Sequence, residues 1–438
     1  MRVGIIGGGI TGLSCAWYLK QAGIDSVVFD PAPGGTIGTV VVEDCMLETG
    51  PESWLTAKPW AAQLIRDLGL GDELTGSSDA RRRTYVVRHG NFEVLPEGLQ
   101  MVVPTKLVPV AKSKLFSLGT KLRMAAEVLR SPRLMPDRSV SAFVLDHFGQ
   151  EAVDYLAEPL LAGVYGGSPD ELSAPSVLAK FVEHEQRYGS VVVGALRNRP
   201  VANGAPIFQT MRRGMGTLID ALVDRVNLSR ARVESIAPDS DTDGPRWHLF
   251  ADGGWQPFDH IVLACGANHA APLVGPIDVH LSELLGSIPH GSSAIWTFIY
   301  NRDQVARPLD AFGFLVPRPE RQTLMACTWL GTKWEGRVPD SKAVFRCFST
   351  DVNASQEAME ADLRRLVPID GEPLAALCNR WPGAMPQYTV GHTARAAAIA
   401  ARASVLPGFH LAGNAYEGIG IPDCIRNARK VADAIIPR

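Results

Sequence analysis

Several features that would fix a function class at once are missing from this sequence. The seven cysteines are scattered and include no C-x-x-C pair, which argues against a disulfide framework, a zinc site and a redox dithiol. No apolar run reaches the roughly 18 residues of a membrane span, and the first strand pattern begins at Arg2, which leaves no room for a signal peptide. A net charge of -3 argues against general nucleic-acid binding. We therefore expect a cytoplasmic protein.

The composition is that of a folded chain with more than one domain. Hydrophobic residues make up 46% and charged residues 20% of the 438 positions, as is typical of ordered proteins. The chain is longer than a domain built around a single hydrophobic core usually is, so two or three domains are expected.

The N-terminal segment carries the pattern of a dinucleotide-binding turn. Residues 3–12 (VGIIGGGITG) are an apolar stretch that runs into glycines, and residues 13–23 predict the helix that follows. In this pattern Gly7 permits the tight turn, Gly9 lets a pyrophosphate approach the backbone, and Gly12 lets the helix pack on the strand. Asp30 ends the second predicted strand and would accept a hydrogen bond from a ribose hydroxyl. The structural alternative is that these glycines serve only a tight turn.

A second glycine-rich turn lies near the other end of the chain. Residues 413–420 (GNAYEGIG) precede a helix predicted over residues 425–435. A helix that begins at such a turn would direct its positive end towards an anionic cofactor. Together the two ends predict a flavoenzyme.

A second dinucleotide fingerprint is absent. Gly214 and Gly216 open a predicted helix, but the third glycine and a clean preceding strand are missing. A flavin reductase usually needs a nicotinamide domain or a redox cysteine pair, and this chain has neither. We therefore expect an oxidase that returns its electrons to oxygen or a quinone.

Motifs spread over almost the whole chain resemble the oxygen-dependent protoporphyrinogen oxidase family, whose bacterial members include coproporphyrinogen III oxidases. They are residues 48–59 (ETGPESWLTAKP), residues 160–173 (LLAGVYGGSPDELS), Thr328 with Trp329, residues 380–388 (RWPGAMPQY) and residues 413–424 (GNAYEGIGIPDC). The amine oxidases and carotene desaturases of the same superfamily share the terminal motifs but not the central ones. Two positions depart from the family: Asp30 replaces the usual Glu, and Gly38 stands where a basic residue is usual.

The resemblance implies an α/β fold. A Rossmann-type FAD-binding domain would be assembled from residues 1–80, 205–270 and 401–438. Residues 81–94 would begin the substrate region, and residues 271–400 would form a mixed-sheet substrate domain. Residues 95–204 would form a helical insert.

The resemblance also implies one non-covalent FAD, because the tail shows no Cys or His suited to a flavin tether. Val233 would contact the adenine end and Trp381 would cover the flavin, although Val233 as plain core is the alternative. The implied cofactor-binding residues are Gly7, Gly9, Ile10, Thr11, Gly12, Asp30, Gly34, Gly35, Thr36, Gly50, Pro51, Glu52, Ser53, Val233, Trp381, Gly413, Asn414, Gly420, Ile421 and Pro422.

For the substrate, the resemblance implies a porphyrinogen that loses six electrons to O2 in three flavin-dependent steps. Protoporphyrinogen IX is the first expectation and coproporphyrinogen III the alternative. The implied substrate-binding residues are Lys58, Arg81, Arg82, Arg83, Gly163, Gly166, Leu315 and Phe348. Core positions for Leu315 and Phe348, and a solvated surface for the three arginines, are the alternatives. No catalytic base and no metal site is indicated, since His392 has no ligand partner at metal spacing.

The first part of the predicted insert is basic. Residues 99–138 hold eight Lys or Arg against two acidic residues, a local charge of +6. Such a basic, apolar and helical segment is typical of a membrane surface module, which would make the enzyme peripheral, or of docking to an acidic or ferrochelatase-type pathway partner. A solvated helical lid is the alternative.

Two further functions stay open. A flavin amine oxidase would need two aromatic rings beside the flavin, of which Tyr416 offers one. A non-enzymatic carrier of flavin or tetrapyrrole would need no oxidant.

Overall fold

The computed structural model describes residues 1–198, 204–239 and 247–437. The predicted domain ranges 95–204, 205–270 and 401–438 therefore each include positions outside the described residues.

The first part of the chain contributes to four sheets. Its elements are β1 (Arg2–Ile6), α1 (Ile10–Gln21), β2 (Asp25–Phe29), β3 (Thr39–Val42), β4 (Cys45–Glu48), β5 (Trp54–Leu55), α2 (Trp60–Asp67), β6 (Leu74–Gly76), β7 (Thr84–Arg88) and β8 (Asn91–Val94). β3 and β4 pair as an antiparallel hairpin.

Helices dominate the next part. Its elements are β9 (Leu99–Gln100), β10 (Val103–Pro104), α3 (Leu107–Lys112), α4 (Leu118–Ala126), α5 (Val140–Phe148), α6 (Gln150–Ala152), α7 (Glu158–Tyr165), α8 (Ala174–Val177), α9 (Ala179–Tyr188) and α10 (Val191–Arg197). A π-helical turn, Val153–Ala157, joins α6 to α7. These helices enclose a core of their own that includes Phe143, Phe148 and Leu161.

The chain then returns to the sheets of its beginning. The elements are β11 (Phe208–Met211), α11 (Gly216–Val223), β12 (Leu228–Ser229), β13 (Val233–Pro238), β14 (Trp247–Ala251), β15 (Gly254–Phe258), β16 (His260–Leu263), α12 (Ala267–Val274) and α13 (Val279–Gly286). β13, β14 and β15 form a three-stranded antiparallel sheet, and β11 lies between β5 and β6.

The last part forms most of the largest sheet and the final helix. The elements are β17 (His290–Asn301), β18 (Gly313–Leu315), β19 (Ala326–Trp329), α14 (Leu330–Lys333), β20 (Lys342–Ser349), α15 (Gln356–Leu366), β21 (Ala375–Pro386), α16 (His392–Ala403), β22 (Phe409–Leu411) and α17 (Ile421–Ile435).

A parallel sheet and a mixed sheet organise these elements. The parallel sheet has the order β12-β2-β1-β16-β22, so β1 and the late strand β22 flank the same strand, β16. The mixed sheet has the order β21-β17-β20-β19-β18-β7-β8, with β7 parallel to β18 and the other pairs antiparallel. Helices α1, α11 and α17 cover one face of the parallel sheet through Leu13, Leu218 and Ile425. The predicted α/β fold class is confirmed.

The final helix begins earlier than predicted. It starts at Ile421, where residue 425 was expected, and Pro422 lies in its first turn. Proline suits this position because its missing N–H is one of those that a helix start leaves unpaired. The prediction of the helix start was therefore wrong by four residues, and the N-terminus of α17 lies directly at the glycine-rich turn.

Candidate cofactor and substrate site

The N-terminal glycine turn has the geometry needed for close approach of a ligand. Gly7 has a φ of +108°, and its N–H donates to the Phe29 carbonyl at 3.0 Å. A Cβ at Gly12 would lie 1.9 Å from the Gly7 carbonyl oxygen, whereas a Cβ at Gly9 would meet nothing within 4 Å. Gly12 is therefore required for the packing of α1 on the turn, and Gly9 leaves open space beside the backbone.

Two helix N-termini converge on one cavity. Gly9 precedes α1 and Gly420 precedes α17, so neither N-cap position offers a side chain to accept from the first N–H groups. Uncapped helix starts leave N–H donors and a partial positive charge, which favour phosphate and other anionic groups. Both glycines line the same cavity of about 610 Å³.

Asp30 ties the second strand to the turn. Its Oδ2 accepts from the Gly8 N–H at 2.6 Å and its Oδ1 from the Ala32 N–H at 2.8 Å. Each carboxylate oxygen keeps a second lone pair, so a ribose hydroxyl can still donate to Asp30. Asp30 also lines the cavity.

Two cations hold in place the segment 50–53, which contributes Gly50, Pro51 and Ser53 to the cavity lining. Arg346, 1% exposed, donates to the Gly50 carbonyl at 2.7 Å and pairs with Glu52 at 2.5 Å. Lys333 also pairs with Glu52. Burial by itself raises the pKa of Glu52, but Lys333 and Arg346 outweigh burial and lower this pKa to about 2. Glu52 stays ionised and fixes the wall.

The C-terminal turn is clamped by Tyr388. Its hydroxyl donates to the Asn414 carbonyl at 2.7 Å and accepts from the Gly418 N–H at 2.8 Å. Nearby, Asp423 in the first turn of α17 pairs with Lys58 at 2.5 Å. From the mixed sheet, the Trp381 indole N–H donates to the Thr49 carbonyl at 2.9 Å.

The cavity brings most of the predicted residues together. The predicted residues that line it are Gly7, Gly9, Ile10, Thr11, Asp30, Gly34, Gly35, Thr36, Gly50, Pro51, Ser53, Gly163, Gly166, Phe348, Trp381, Gly413, Asn414, Gly420 and Ile421. They come from both ends of the chain, from the insert and from the mixed sheet, so the cavity lies where these parts meet.

Four predicted cofactor residues lie outside the cavity lining. Gly12 lies beneath the turn, and Glu52 belongs to the buried ion cluster. Val233 is a buried residue of β13 paired with Ala251, and Pro422 is buried at the start of α17. In this structure Gly12, Val233 and Pro422 contribute to packing and Glu52 to ion pairing, and their contact with the cofactor stays a prediction.

The predicted propionate cations also lie outside the lining among the described residues. Arg83 pairs with Asp310 at 2.6 Å, and Arg81 and Arg82 are exposed. Leu315 is half-buried in β18. Lys58 lies nearer, because its partner Asp423 adjoins the lining residue Cys424.

An apolar set of residues lines the same cavity as the glycine turns. It combines Ala162 and Gly163 near the end of α7 with Met325, Phe348 and Met385 of the mixed-sheet region. Gly166 ends α7 with a φ of +61°, and a Cβ there would lie 3.0 Å from the Met385 sulfur. The described lining residues include no lysine and no arginine. This wall therefore suits a large apolar ring.

Comparison with known proteins identifies the family. A family model described as flavin containing amine oxidoreductase matches residues 10–436. This chain belongs to that family. It is a flavin-dependent oxidoreductase, and the resemblance predicted from its motifs is confirmed.

Three relatives illustrate the similarity. A coproporphyrinogen III oxidase of Bacillus subtilis (strain 168) is 31% identical over 467 residues, covering 99% of this chain and 98% of that protein. Protoporphyrinogen oxidase 2 of Arabidopsis thaliana is 26% identical over 488 residues, covering 99% and 94%. A crystal structure of a candidate protoporphyrinogen oxidase from Exiguobacterium sp. 255-15 has a TM-score of 0.87 at 28% identity, covering 99% of this chain and 98% of that one.

Two cysteines, Cys265 and Cys424, line the flavin cavity, and only Cys424 lies in the tail that the sequence analysis judged unsuited to a flavin tether. Burial raises the pKa of Cys265 to about 12 and that of Cys424 to about 11. Both thiols stay protonated near neutral pH and are therefore poor nucleophiles.

Sequence reasoning also missed Arg346, Lys333 and Tyr388. Each acts on the flavin cavity from another sheet, helix or loop, through partners that are not neighbours in sequence. The one available signal was that a buried acid at Glu52 needs a cation, and nothing in the sequence says which cation.

One cluster in the described residues has metal-like spacing. Asp146, His147 and Glu185 place their ligand atoms within 4.8 Å of one another. However, Arg130 and Arg138 pair with Asp146, and Arg138 also pairs with Glu185. These carboxylates already have cationic partners, so the cluster holds the insert together by ion pairs.

Proposed function

We propose that this protein is an FAD-dependent porphyrinogen oxidase that uses dioxygen as acceptor. The observation that carries the proposal is the composition of the cavity. Two uncapped helix N-termini and an apolar wall of α7 and mixed-sheet residues line the same cavity. We infer that the helix N-termini serve a dinucleotide and that the apolar wall serves a macrocycle.

The glycine turns fit FAD. The open space at Gly9 admits the pyrophosphate, the α1 N-terminus supplies N–H donors, and Asp30 can accept from the adenosine ribose. The N-terminus of α17 would place partial positive charge next to the bound cofactor, because Gly420 and Ile421 line the same cavity. Bound FAD supplies the electron acceptance for each two-electron oxidation. Protonated Cys265 and Cys424 support non-covalent binding.

The apolar wall fits the tetrapyrrole ring. Phe348, Met325 and Met385 offer flat and adaptable contacts. Since the described lining holds no lysine or arginine, we propose that the propionates point out of the cavity. Lys58 is the favoured cation for one of them, because its partner Asp423 is the chain neighbour of the lining residue Cys424 and the Lys58 side chain is 42% exposed. The arginines at 81–83 remain the second choice.

Coproporphyrinogen III is the favoured substrate. The bacterial relative named for this substrate is more similar to the chain than the plant relative named for protoporphyrinogen. Four propionates also suit a site whose ring pocket leaves carboxylates to solvent, whereas the vinyl groups of protoporphyrinogen IX would need apolar cover.

Oxygen consumption by the purified yellow protein tests the proposal. We expect consumption of about three O2 per porphyrin with coproporphyrinogen III, accompanied by peroxide release, and a lower kcat/KM with protoporphyrinogen IX. Turnover of a primary amine without porphyrinogen turnover would favour an amine oxidase. Bound flavin without turnover of either would favour a carrier.

We also propose that the insert attaches the protein peripherally to an anionic membrane. No helix of the described residues is long and apolar enough to span a bilayer. Leu118, Leu122, Leu129 and Leu134 are 62 to 83% exposed. Lys121 lies among them in sequence and Lys112 and Lys114 shortly precede them, and such a mixture suits a lipid headgroup surface. The internal pairing of Arg130, Arg133 and Arg138 leaves the lysines and the exposed Arg123 as the main surface charge.

A further inference from the structure

Gln387 connects two parts of the chain that contribute to the apolar wall. Its side-chain nitrogen Nε2 donates to the Tyr165 carbonyl at 2.8 Å and to the Met385 carbonyl at 3.0 Å. Tyr165 is the last residue of α7, and Met385 lies near the end of β21. Gln387 is 7% exposed and is not one of the residues that line the cavity. One amide group therefore ties the helical insert to the mixed sheet.

The orientation of this amide follows from its surroundings. Tyr165 and Met385 both present carbonyl oxygens to it, and a carbonyl oxygen accepts hydrogen bonds but cannot donate them. If the amide were turned over, its own oxygen would face two other oxygens, so the nitrogen is assigned to this side. The tie therefore needs a side chain with two N–H groups, which a carboxylate or a thioether of similar length does not offer.

Two glycines make room for the amide. A Cβ at Gly167 would overlap Gln387 Oε1, and a Cβ at Gly291 would lie 2.8 Å from Gln387 Nε2. Gly167 follows α7, whereas Gly291 belongs to β17. The backbone N–H of Gln387 also donates to the Pro289 carbonyl at 2.7 Å. Packing as well as hydrogen bonding therefore fixes the position of this side chain between the insert and the sheet.

Helix α7 is held at both ends. At its start, Glu158, which is 7% exposed, pairs with Arg321 at 2.7 Å. At its end, the Tyr165 carbonyl binds Gln387. The lining residues from this helix and its C-cap are Ala162, Gly163 and Gly166. The tie at Tyr165 is thus one residue away from the cavity lining.

The spacing between the end of α7 and β21 matters for a bound ring. Gly166 and Met385 both line the cavity, and a Cβ at Gly166 would lie only 3.0 Å from the Met385 sulfur. Dispersion contacts lose a quarter to a half of their strength over a gap of about 0.5–1 Å. A small movement of Gly166 away from Met385 would therefore weaken the contacts that the apolar wall makes with a ring.

We propose that Gln387 is a positioning residue for the macrocycle, because it holds the end of α7 against β21 and so fixes the spacing of the apolar wall. This inference rests on the proposed porphyrinogen oxidase function. Gln387 acts through the helix and not by contact with the ring. Loss of the tie lets Gly166 move away from Met385, so that a porphyrinogen binds more weakly while the glycine turns for the flavin stay unchanged.

Gln387→Met tests the tie, because methionine has nearly the same length and no N–H donor. The matched control is Gln304→Met: Gln304 Nε2 also donates to two backbone carbonyls, those of Asp370 at 2.8 Å and Glu372 at 3.0 Å, and Gln304 does not line the cavity. We expect Gln387→Met to raise KM for coproporphyrinogen III about tenfold, with kcat and flavin occupancy within about twofold of the native values. Gln304→Met should match the native chain.

Two measurements on the flavin-loaded proteins need no turnover. The Kd of coproporphyrin III, measured by porphyrin fluorescence, should rise about tenfold in Gln387→Met and stay native in Gln304→Met. Amide hydrogen exchange in peptides that cover the end of α7 should be faster in Gln387→Met alone.

Gly167→Ala is a second variant that reaches the same tie from the insert. Gly167 does not have a positive φ, so its backbone accepts alanine, but the added Cβ would displace the Gln387 amide. We expect the same rise in KM and Kd as in Gln387→Met. This variant keeps the test decisive if Gln387→Met does not fold.

Three results would overturn the role of Gln387. The first is native KM and Kd in the folded variants, and the second is a fall in kcat at unchanged KM. The third is an equal change in Gln304→Met, which indicates a general loss of stability. A native flavin-loaded chain that neither oxidises a porphyrinogen nor binds coproporphyrin III refutes the proposed function and, with it, this role. Native turnover with unaffected variants refutes the role of Gln387 alone.

Discussion

Gly9 is the position at which a single substitution tests most directly whether the N-terminal glycine turn binds flavin. A Cβ at Gly9 meets no protein atom within 4 Å, so Gly9→Val should fold while its side chain fills the space of the pyrophosphate. We expect colourless protein with a native circular dichroism spectrum. The control is Gly254→Val in β15, where a Cβ is equally unobstructed and which does not line the cavity. Full flavin occupancy in Gly9→Val would refute the assignment.

The lowered pKa of Glu52 predicts how the free energy of unfolding changes with pH. Its folded-state pKa of about 2 lies below the ordinary value of 4.5. Its ionised form therefore stabilises the fold above the ordinary value, and this contribution is lost as the pH falls towards the folded-state pKa. The shift corresponds to about 3 kcal/mol.

Glu52→Gln should lower the free energy of unfolding at neutral pH by about 3–5 kcal/mol, because Arg346 and Lys333 keep buried charges without their partner. Its stability should also fall less steeply between about pH 5 and pH 3. Urea titrations over this range measure both effects, with exposed Glu335→Gln as the control. Identical pH slopes in native and Glu52→Gln protein would contradict the assignment.

Replacement of Lys58 tests whether this residue contacts a propionate of the substrate. Lys58→Ala removes a cation beside the flavin cavity, and a charge-assisted bond contributes roughly 1.5–3 kcal/mol. We expect KM for coproporphyrinogen III to rise about ten- to a hundredfold with an unchanged flavin spectrum. Single alanine replacements at Arg81, Arg82 and Arg83 serve as comparisons. If one of these arginines changes KM and Lys58 does not, the propionate is held at the arginine run.

The exposed leucines and the lysine of helix α4 allow the proposed membrane attachment to be tested. Leu118 and Leu122 are 73% and 62% exposed on this helix, which also carries Lys121. Each basic residue near an anionic surface contributes about 1 kcal/mol and is screened by salt. Replacing both leucines by serine should reduce co-sedimentation with anionic liposomes, and binding of native protein should fall with salt. Val279→Ser, equally exposed on α13, is the control. If liposome binding changes neither with salt nor with the leucine replacements in α4, this surface is not the site of membrane attachment.

At the scale of the whole molecule, a bound flavin would contact segments that lie far apart in the sequence. The cavity takes residues from the turn after β1, the α17 start and the mixed sheet, so FAD would bind only the folded arrangement and stabilise it by mass action. Added FAD should raise the melting temperature with concentration. Denaturation in guanidinium followed by filtration should release all the yellow chromophore, since Cys265 and Cys424 stay protonated. Flavin retained on the unfolded chain would show a covalent bond.

The sequence by itself determined the local features of this protein. The turn at Gly7, Gly9 and Gly12, the parallel strand before it and the glycine-rich tail are short-range patterns that backbone geometry dictates, and they suffice to predict a flavoenzyme of this fold. The tail helix start was misplaced because a proline at position 422 can either precede a helix or occupy its first turn.

Only the tertiary structure decided which side chains face the cavity and which support it. Glu52 was predicted to bind the cofactor, and the structure makes it a buried partner of Lys333 and Arg346, which lie 281 and 294 positions away. Three consecutive arginines at 81–83 were indistinguishable by sequence, and the fold leaves all three outside the cavity lining. Burial and ion pairing depend on which surfaces meet after folding, and a local pattern carries no record of a partner from another sheet.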